Sequence, residues 1–402
     1  MSGKRRIIIR VLLGIVIAFA IGVVVLAILL YSRWRKPLGP TLDWPTETAT
    51  TIQDATSAVV GDTPNSPEST PTEVPPTATP TPEPVCGGPA SMVVLGIGVD
   101  YRWNSYLYGT ADLVWLIRVD FVDPSVTMMQ VPRNIYVPVE GIEDHGITEG
   151  PLMSVYFWGT EGMGYYDGPG LGPGFLARVI EANFGLRVDH YVAVNIHSFA
   201  NIVDIIGGLE IFIPQTIDNR GRPGDPMNPS HGYFPAGSLY LDGYGALWYA
   251  RMRNIDNDFQ RGVRQHQIIC GLRNSLRRPG MIAKVPELVL SLRGRVLTDM
   301  SPEELSQLTC LGLQLSGSDV RFVHLPDSLY ERGQYYRGGV LPFYPDFEAM
   351  SAFLADFAAG TWPAPLVREP TPTLEPGMTA PPDTGEPTSD PGETELFVCP
   401  PD

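Results

Sequence analysis

Residues 191–213 read YVAVNIHSFANIVDIIGGLEIFI, and their periodicity decides the fold. Residues 191–195 have the pattern of a strand. Ser198 predicts an N-cap, and Phe199, Ile202, Val203 and Ile206 follow it at helical spacing. Gly207-Gly208 stops that helix, and residues 209–213 return to a two-residue period. A strand, a helix and a strand in so short a span predict an α/β chain whose sheet is covered by helices on both faces.

Working outward, residues 92–98 (MVVLGIG), 112–119 and 125–131 form three apolar runs with the look of buried strands. Asp123-Pro124 turns the chain between the last two, as in a hairpin. Residues 174–184 read as a helix with Phe175, Leu176, Val179 and Ile180 on one side. On the C-terminal side, residues 265–276 continue as a helix, and Ser301-Pro302-Glu303-Glu304 is a capping box opening another. A strand over 320–325 and a helix over 346–358 close a folded region spanning residues 85–362. No repeat of solenoid length is visible.

The flanks differ in kind. Residues 11–31 carry no charge and would make a helix of about 32 Å, enough to cross a bilayer. Lys4, Arg5, Arg6 and Arg10 precede the run, and Arg33, Arg35 and Lys36 follow it. That slight bias places residues 1–10 in the cytoplasm and the rest of a single-pass membrane protein outside. A cleaved signal peptide is the alternative, but the run is longer than a usual h-region. Residues 37–84 are rich in Pro, Thr, Glu and Ser and predict a disordered stalk; residues 363–402 form a similar Pro-rich tail.

The chain has 402 residues and a formal charge of -16, which excludes nucleic acid as a partner. Its four cysteines, Cys86, Cys270, Cys310 and Cys399, permit two disulfides outside the cytoplasm. The expected pairs are Cys270–Cys310 within the domain and Cys86–Cys399 joining its ends; four free buried thiols are the competing reading.

Chemistry concentrates in residues 241–267, LDGYGALWYARMRNIDNDFQRGVRQHQ, with Arg251, Arg253, Arg261 and Arg264 and no lysine. Residues 249–253 alternate as a strand would, which puts Arg251 and Arg253 on one face. Asp258 predicts the N-cap of a helix on which Arg261 and Arg264 share a face. Guanidinium forks and a helix N-terminus converging on one volume suit a phosphate or pyrophosphate. The plainer reading is a solvated basic face.

Two carboxylates stand near by. Asp100 follows the first apolar run in GVDYR (98–102), and Asp112 opens the second. If those strands are antiparallel neighbours, both emerge at one end of the sheet and can share a Mg²⁺ ion. Arg133 follows the third strand and Arg102 lies close to Asp100, an arrangement that fits phosphoryl transfer. Loop caps or ordinary salt bridges would also explain both acids.

These segments resemble the LytR–CpsA–Psr family of membrane-anchored cell-envelope transferases. The resemblance covers roughly residues 92–276. It is carried by GVDYR (98–102), Ala111-Asp112, Val131-Pro132-Arg133, Asp189-His190-Tyr191, Phe199 through Asp204 to Gly207-Gly208, Leu241-Asp242-Gly243, and Tyr249-Ala250-Arg251 through Gln265. It implies a three-layer α-β-α sandwich with a central mixed sheet, preceded by one transmembrane helix. It also implies transfer of a glycosyl phosphate from a polyprenyl-pyrophosphate-linked glycopolymer to peptidoglycan, releasing polyprenyl phosphate. Carried over, Asp100 and Asp112 would ligate Mg²⁺, and Arg133, Arg251, Arg253, Arg261 and Arg264 would hold the pyrophosphate. Arg102, Gln265 and Asp258 are expected at the substrate, and Asp112 is the candidate general base. The prenyl chain would lie between the sheet and helices such as 174–184 and 199–206. Asn134 stands where the family usually has an acid, and PLMSVY (151–156) replaces a usual Lys-Ile-Asn-like run. A non-catalytic binder or sensor and a prenyl-pyrophosphate hydrolase are the rival functions.

Overall fold

In the first half of the chain, the strands are β1 (Ser91–Asp100), β2 (Thr110–Asp120), β3 (Ser125–Val131), β4 (Tyr136–Pro138), β5 (Glu149–Pro151), β6 (His190–Asn195) and β7 (Leu209–Ile213). Helices α1 (Leu152–Trp158) and α2 (Leu171–Phe184) precede β6, and α3 (Ile196–Ile205) follows it. The second half adds β8 (Ile217–Asp218), β9 (Tyr233–Phe234), β10 (Gly237–Leu241), α4 (Gly243–Arg251), α5 (Asp258–Leu276), β11 (Val296–Thr298) and α6 (Pro302–Gln314). It ends with β12 (Val320–His324), β13 (Tyr330–Arg332), β14 (Phe343–Pro345), α7 (Phe347–Ala359) and β15 (Phe397–Val398). This computed structural model describes residues 36–44, 83–100, 109–218, 232–252, 258–281, 296–337, 339–362 and 397–399. The apolar run at residues 11–31 lies outside them, and among the described residues no helix is long and apolar enough to cross a membrane.

The central sheet has seven strands in the order β11-β6-β1-β2-β3-β12-β15. β1, β2 and β3 are antiparallel neighbours, whereas β6 runs parallel to β1 and β12 parallel to β3, so the sheet is mixed. Val93, Leu95, Ile97 and Val99 pack toward α1, α2 and α7. Met92 and Val94 pack the other way, in a cluster with residues of α5 and α6. Apolar residues on both faces explain why β1 sits centrally: each fully buried side chain contributes roughly 1.5–3 kcal/mol. The α/β fold with a mixed sheet between helical layers is as expected.

Several local expectations change. Residues 249–251 are the last turn of α4, not a strand. Asp242 caps that helix, its side chain accepting from the Gly245 N–H at 2.7 Å, and this start outweighs the two-residue alternation at the far end. Asn195, not Ser198, caps α3; its Oδ1 accepts from the Ser198 N–H at 2.8 Å.

Both ends of the domain lie elsewhere than composition predicts. Residues 36–44 are docked rather than part of a free stalk: Leu42 is only 3% exposed and joins the core. The Trp44 indole donates to the Val188 carbonyl at 2.9 Å, and its ring is 5.1 Å from the guanidinium carbons of both Arg178 and Arg187. Gly39 N–H donates to Thr298 O at 2.8 Å, and Tyr191 Oη donates to Pro40 O at 2.8 Å. At the other end, residues 397–399 return from the tail and add β15 to the sheet edge.

The disulfides are Cys86–Cys310 and Cys270–Cys399, which corrects the expected Cys270–Cys310 and Cys86–Cys399 pairs. Cys86 lies in a 3₁₀ turn packed on α6, the helix that carries Cys310. Cys399 follows β15, which brings it onto Cys270 of α5. Each bridge follows these packing neighbours, which spacing along the chain does not reveal.

Candidate active site

One cavity of about 580 Å³ opens between the sheet and helices α3, α4 and α5. Its floor is β1, β2 and β6, where Gly96 and Gly98 present backbone instead of side chains. A Cβ at Gly98 would sit 2.8 Å from Leu113 Cβ, so glycine keeps this part of the floor low. Phe199, Leu247, Trp248, Ile268 and Leu272 form much of an apolar wall. Helix α2 packs on the opposite face of the sheet, so the expectation that residues 174–184 line the groove is corrected.

The two carboxylates of this cavity are at the strand ends. Asp100 terminates β1 on the cavity side. Asp112 gets there through an irregularity: the β1–β2 register shifts between Gly98 and Val99, leaving Asp112 as the extra residue between the partners Ala111 and Leu113. Such a bulge re-aims a side chain, and here it brings the second carboxylate to the same cavity.

Each carboxylate already holds an arginine. Arg251, in the last turn of α4, donates from Nη2 to Asp100 Oδ1 at 3.1 Å. Arg133, two residues past β3, is ion-paired with Asp112. Arg261 and Gln265, one turn apart on α5, complete the polar wall. Gln265 Nε2 donates to the Ala250 carbonyl at 3.3 Å, while its Oε1 is buried without a hydrogen-bond partner. This acceptor in the cavity wall is the type of group a bound polar ligand satisfies.

Arg264 departs from expectation. It is 3% exposed and does not line the cavity; Nε donates to Tyr249 O at 3.1 Å and Nη2 to Met252 O at 2.7 Å. Its guanidinium satisfies carbonyls at the C-terminal end of α4, where helical partners are missing, and so sets the position of Arg251. Arg102 and Arg253 lie outside the described residues, as does the Asp258 side chain; Asp258 begins α5. The structure thus gathers Asp100, Asp112, Arg133, Arg251, Arg261 and Gln265, with Arg264 behind them. The expected contribution of the 199–206 helix is present in Phe199, whereas the α5 part of the apolar wall escaped sequence reading because Ile268 and Leu272, four apart on α5, have the spacing of any core stripe.

Two histidines define the surroundings. His266 of α5 stacks on Phe322 with ring centroids 4.2 Å apart, and burial, aided by nearby His324, lowers its pKa to about 3. His190 lies at the far end of β6 from Asn195, 3.2 Å from Asp299 and 3.3 Å from Glu304. Burial alone would lower its pKa, but the hydrogen bond and charge of Asp299, with Glu304 and Asp189, outweigh burial and raise it.

Comparison with known proteins gives this arrangement relatives. TagU of Oceanobacillus iheyensis, named polyisoprenyl-teichoic acid–peptidoglycan teichoic acid transferase, is 28% identical over 217 residues, which are 54% of this chain and 61% of that protein. TagV of Bacillus subtilis, of the same named activity, is 26% identical over 214 residues, 53% of this chain and 50% of that protein. The chain therefore spans about half to three fifths of these relatives. The crystal structure of B. subtilis TagV superposes with a TM-score of 0.50 at 20% identity, over 67% of this chain and 97% of that one, and shows the shared fold. The LytR_cpsA_psr family matches residues 69–347, well over half of the chain; the protein belongs to that family.

Proposed function

We propose that this chain is a membrane-anchored transferase. It moves a glycosyl phosphate from a polyprenyl-pyrophosphate carrier to peptidoglycan and releases polyprenyl phosphate. The observation that carries the reading is the division of one cavity into an apolar trough and a polar group of two carboxylates and two arginines. That shape suits an amphiphile with a long hydrocarbon tail and a diphosphate head. The named activity of the two relatives supports the same reading.

Asp100, Asp112 and the Gln265 amide oxygen are all oxygen donors, the type Mg²⁺ takes alongside water and phosphate oxygens. These residues would hold the ion, which when bound neutralises charge on the diphosphate. Arg251 and Arg261 present guanidinium N–H groups to the phosphates, and Arg133 joins them when Asp112 releases it. Arg264 acts as a positioning residue by holding the end of α4. In the reaction, an acceptor sugar hydroxyl attacks the sugar-linked phosphorus. The P–O bond to the bridging oxygen breaks, and its electron pair leaves with polyprenyl phosphate. Asp112 takes the hydroxyl proton only in so far as it is not fully engaged by the metal.

The apolar run at residues 11–31 is the anchor in this reading, with residues 1–10 cytoplasmic and the folded part outside. Because Gly39 is already hydrogen-bonded to the domain, only the seven residues 32–38, each spanning at most ~3.6 Å, separate the anchor from it. The test combines the full chain with Mg²⁺, a labelled prenyl-pyrophosphoryl sugar and peptidoglycan fragments. Label on the fragments supports transfer. Release to water alone indicates a hydrolase. Binding without turnover, unchanged in Asp100→Ala, indicates a binding or sensor protein.

A further inference from the structure

His190 takes no part in the proposed chemistry and lies at the other end of β6 from the candidate active site. Both of its ring nitrogens meet carboxylates. Nδ1 is 3.2 Å from Asp299 Oδ2, and Nε2 is 3.3 Å from Glu304 Oε1. A neutral imidazole has one N–H and one bare nitrogen, whereas imidazolium donates from both. Only the charged ring therefore satisfies the two contacts together. Burial works against the charge, but Asp299, Glu304 and Asp189 outweigh it and raise the pKa.

The ring borders a second cavity, of about 440 Å³, and its side chain is 19% exposed, so protons reach it from solvent. Asp189, Glu303 and Glu304 are the charged neighbours lining that cavity, and Asp299 meets the ring from the connection between β11 and α6. The turn at residues 87–89 and the start of β1 contribute only uncharged residues. Among the described residues no lysine or arginine lines this cavity.

The connection that His190 holds also bears the docked segment 36–44. Residues 299–301 join β11 to α6. Asp299 Oδ1 accepts from the Tyr191 N–H at 2.9 Å. Glu304 Oε2 accepts from the Ser301 N–H at 2.7 Å, in the capping box that starts α6. The docked segment rests on the immediate neighbours of these residues. Gly39 N–H donates to Thr298 O, and Tyr191 Oη donates to Pro40 O. When the ring loses a proton, Asp299 keeps the remaining N–H, because the Tyr191 amide already fixes that carboxylate. Glu304, a third exposed, then faces a lone pair and turns to water.

We propose that His190, Asp299 and Glu304 form a pH-responsive clasp. The imidazolium fastens the β11–α6 connection and the segment 36–44 that rests on it; deprotonation loosens both. The clasp is closed below the ordinary histidine value of 6.5 and opens as pH rises through the raised one. It goes beyond the transferase reading and uses none of the residues placed in that site, so the two stand or fall separately.

The experiment measures amide hydrogen exchange of the full chain at pH 6 and 8.5, expressed as protection factors to remove the intrinsic pH dependence of exchange. Protection of Gly39 and Ser301 is expected to fall at least tenfold at the higher pH, while that of β2 holds. His190→Gln and Glu304→Gln should each abolish the fall. Glu304→Gln keeps the capping box, since glutamine serves there as well as glutamate, and so decides the matter if His190→Gln does not fold. Gly39 protection that is flat with pH in the parent chain overturns the clasp, as does a fall that persists in a folded variant. A fall confined to Ser301 overturns the link to the docked segment.

Discussion

Arg251 and Arg264 read alike in the sequence and do different work in the fold. Arg251 is partly exposed and paired with Asp100, so Arg251→Ala should leave stability nearly unchanged. In the proposed reaction Arg251 faces developing phosphate charge, and its loss should lower kcat by about 10²–10³-fold, read in the label-transfer assay. Arg264→Met should instead strip two charge-assisted hydrogen bonds from buried carbonyls and destabilise the fold by roughly 3 kcal/mol or more, read by urea unfolding. His266 makes a further prediction at this scale. Its folded pKa is about 3, below the ordinary value of 6.5, so the unfolded chain takes up a proton first as pH falls. The sign is therefore a loss of stability with acid, up to about 1.4 kcal/mol per pH unit between 6.5 and 3, and none above that window. His190, with a raised pKa, acts oppositely: its stabilisation is full below 6.5 and disappears as pH rises through the raised value. Unfolding midpoints at pH 7.5 and 5 should differ less in His266→Phe than in the parent chain.

Secondary-structure elements position these residues through irregularities as much as through regular geometry. The register shift opposite Gly98 and Val99 turns Asp112 into the cavity; without it Asp112 would follow the alternation that buries Val114 in the opposite layer. Strand β15 shows how a small element is retained. It pairs with β12 over only Phe397 and Val398, too little to order a chain end alone, and Cys399 pins it to Cys270. Replacing both cysteines by serine should cost about 2–5 kcal/mol. Amides of Phe397 and Cys399 should then lose their hydrogen-exchange protection, while β1–β3 keep theirs.

At the scale of the whole molecule, residues 36–44 belong to the domain although composition assigns them to a stalk. A chain beginning at residue 83 should be less stable than one beginning at residue 36 by about 3–5 kcal/mol, because it lacks Leu42 and Trp44; thermal and urea unfolding of the two chains test this. The sequence by itself determined the strands around 92–98, 112–119 and 125–131, the capping box at Ser301 and the residue types of the site. Those features are local: period records which face is buried, and a cap is decided within four residues. It did not determine that Arg264 faces main chain, that the apolar trough continues from α3 onto α4 and α5 and not onto α2, or which cysteines pair. Only the tertiary structure decided these, because they depend on which distant surfaces meet. An apolar stripe on α2 has the same spacing as one on α5, and a cysteine carries no mark of the partner that packing brings to it.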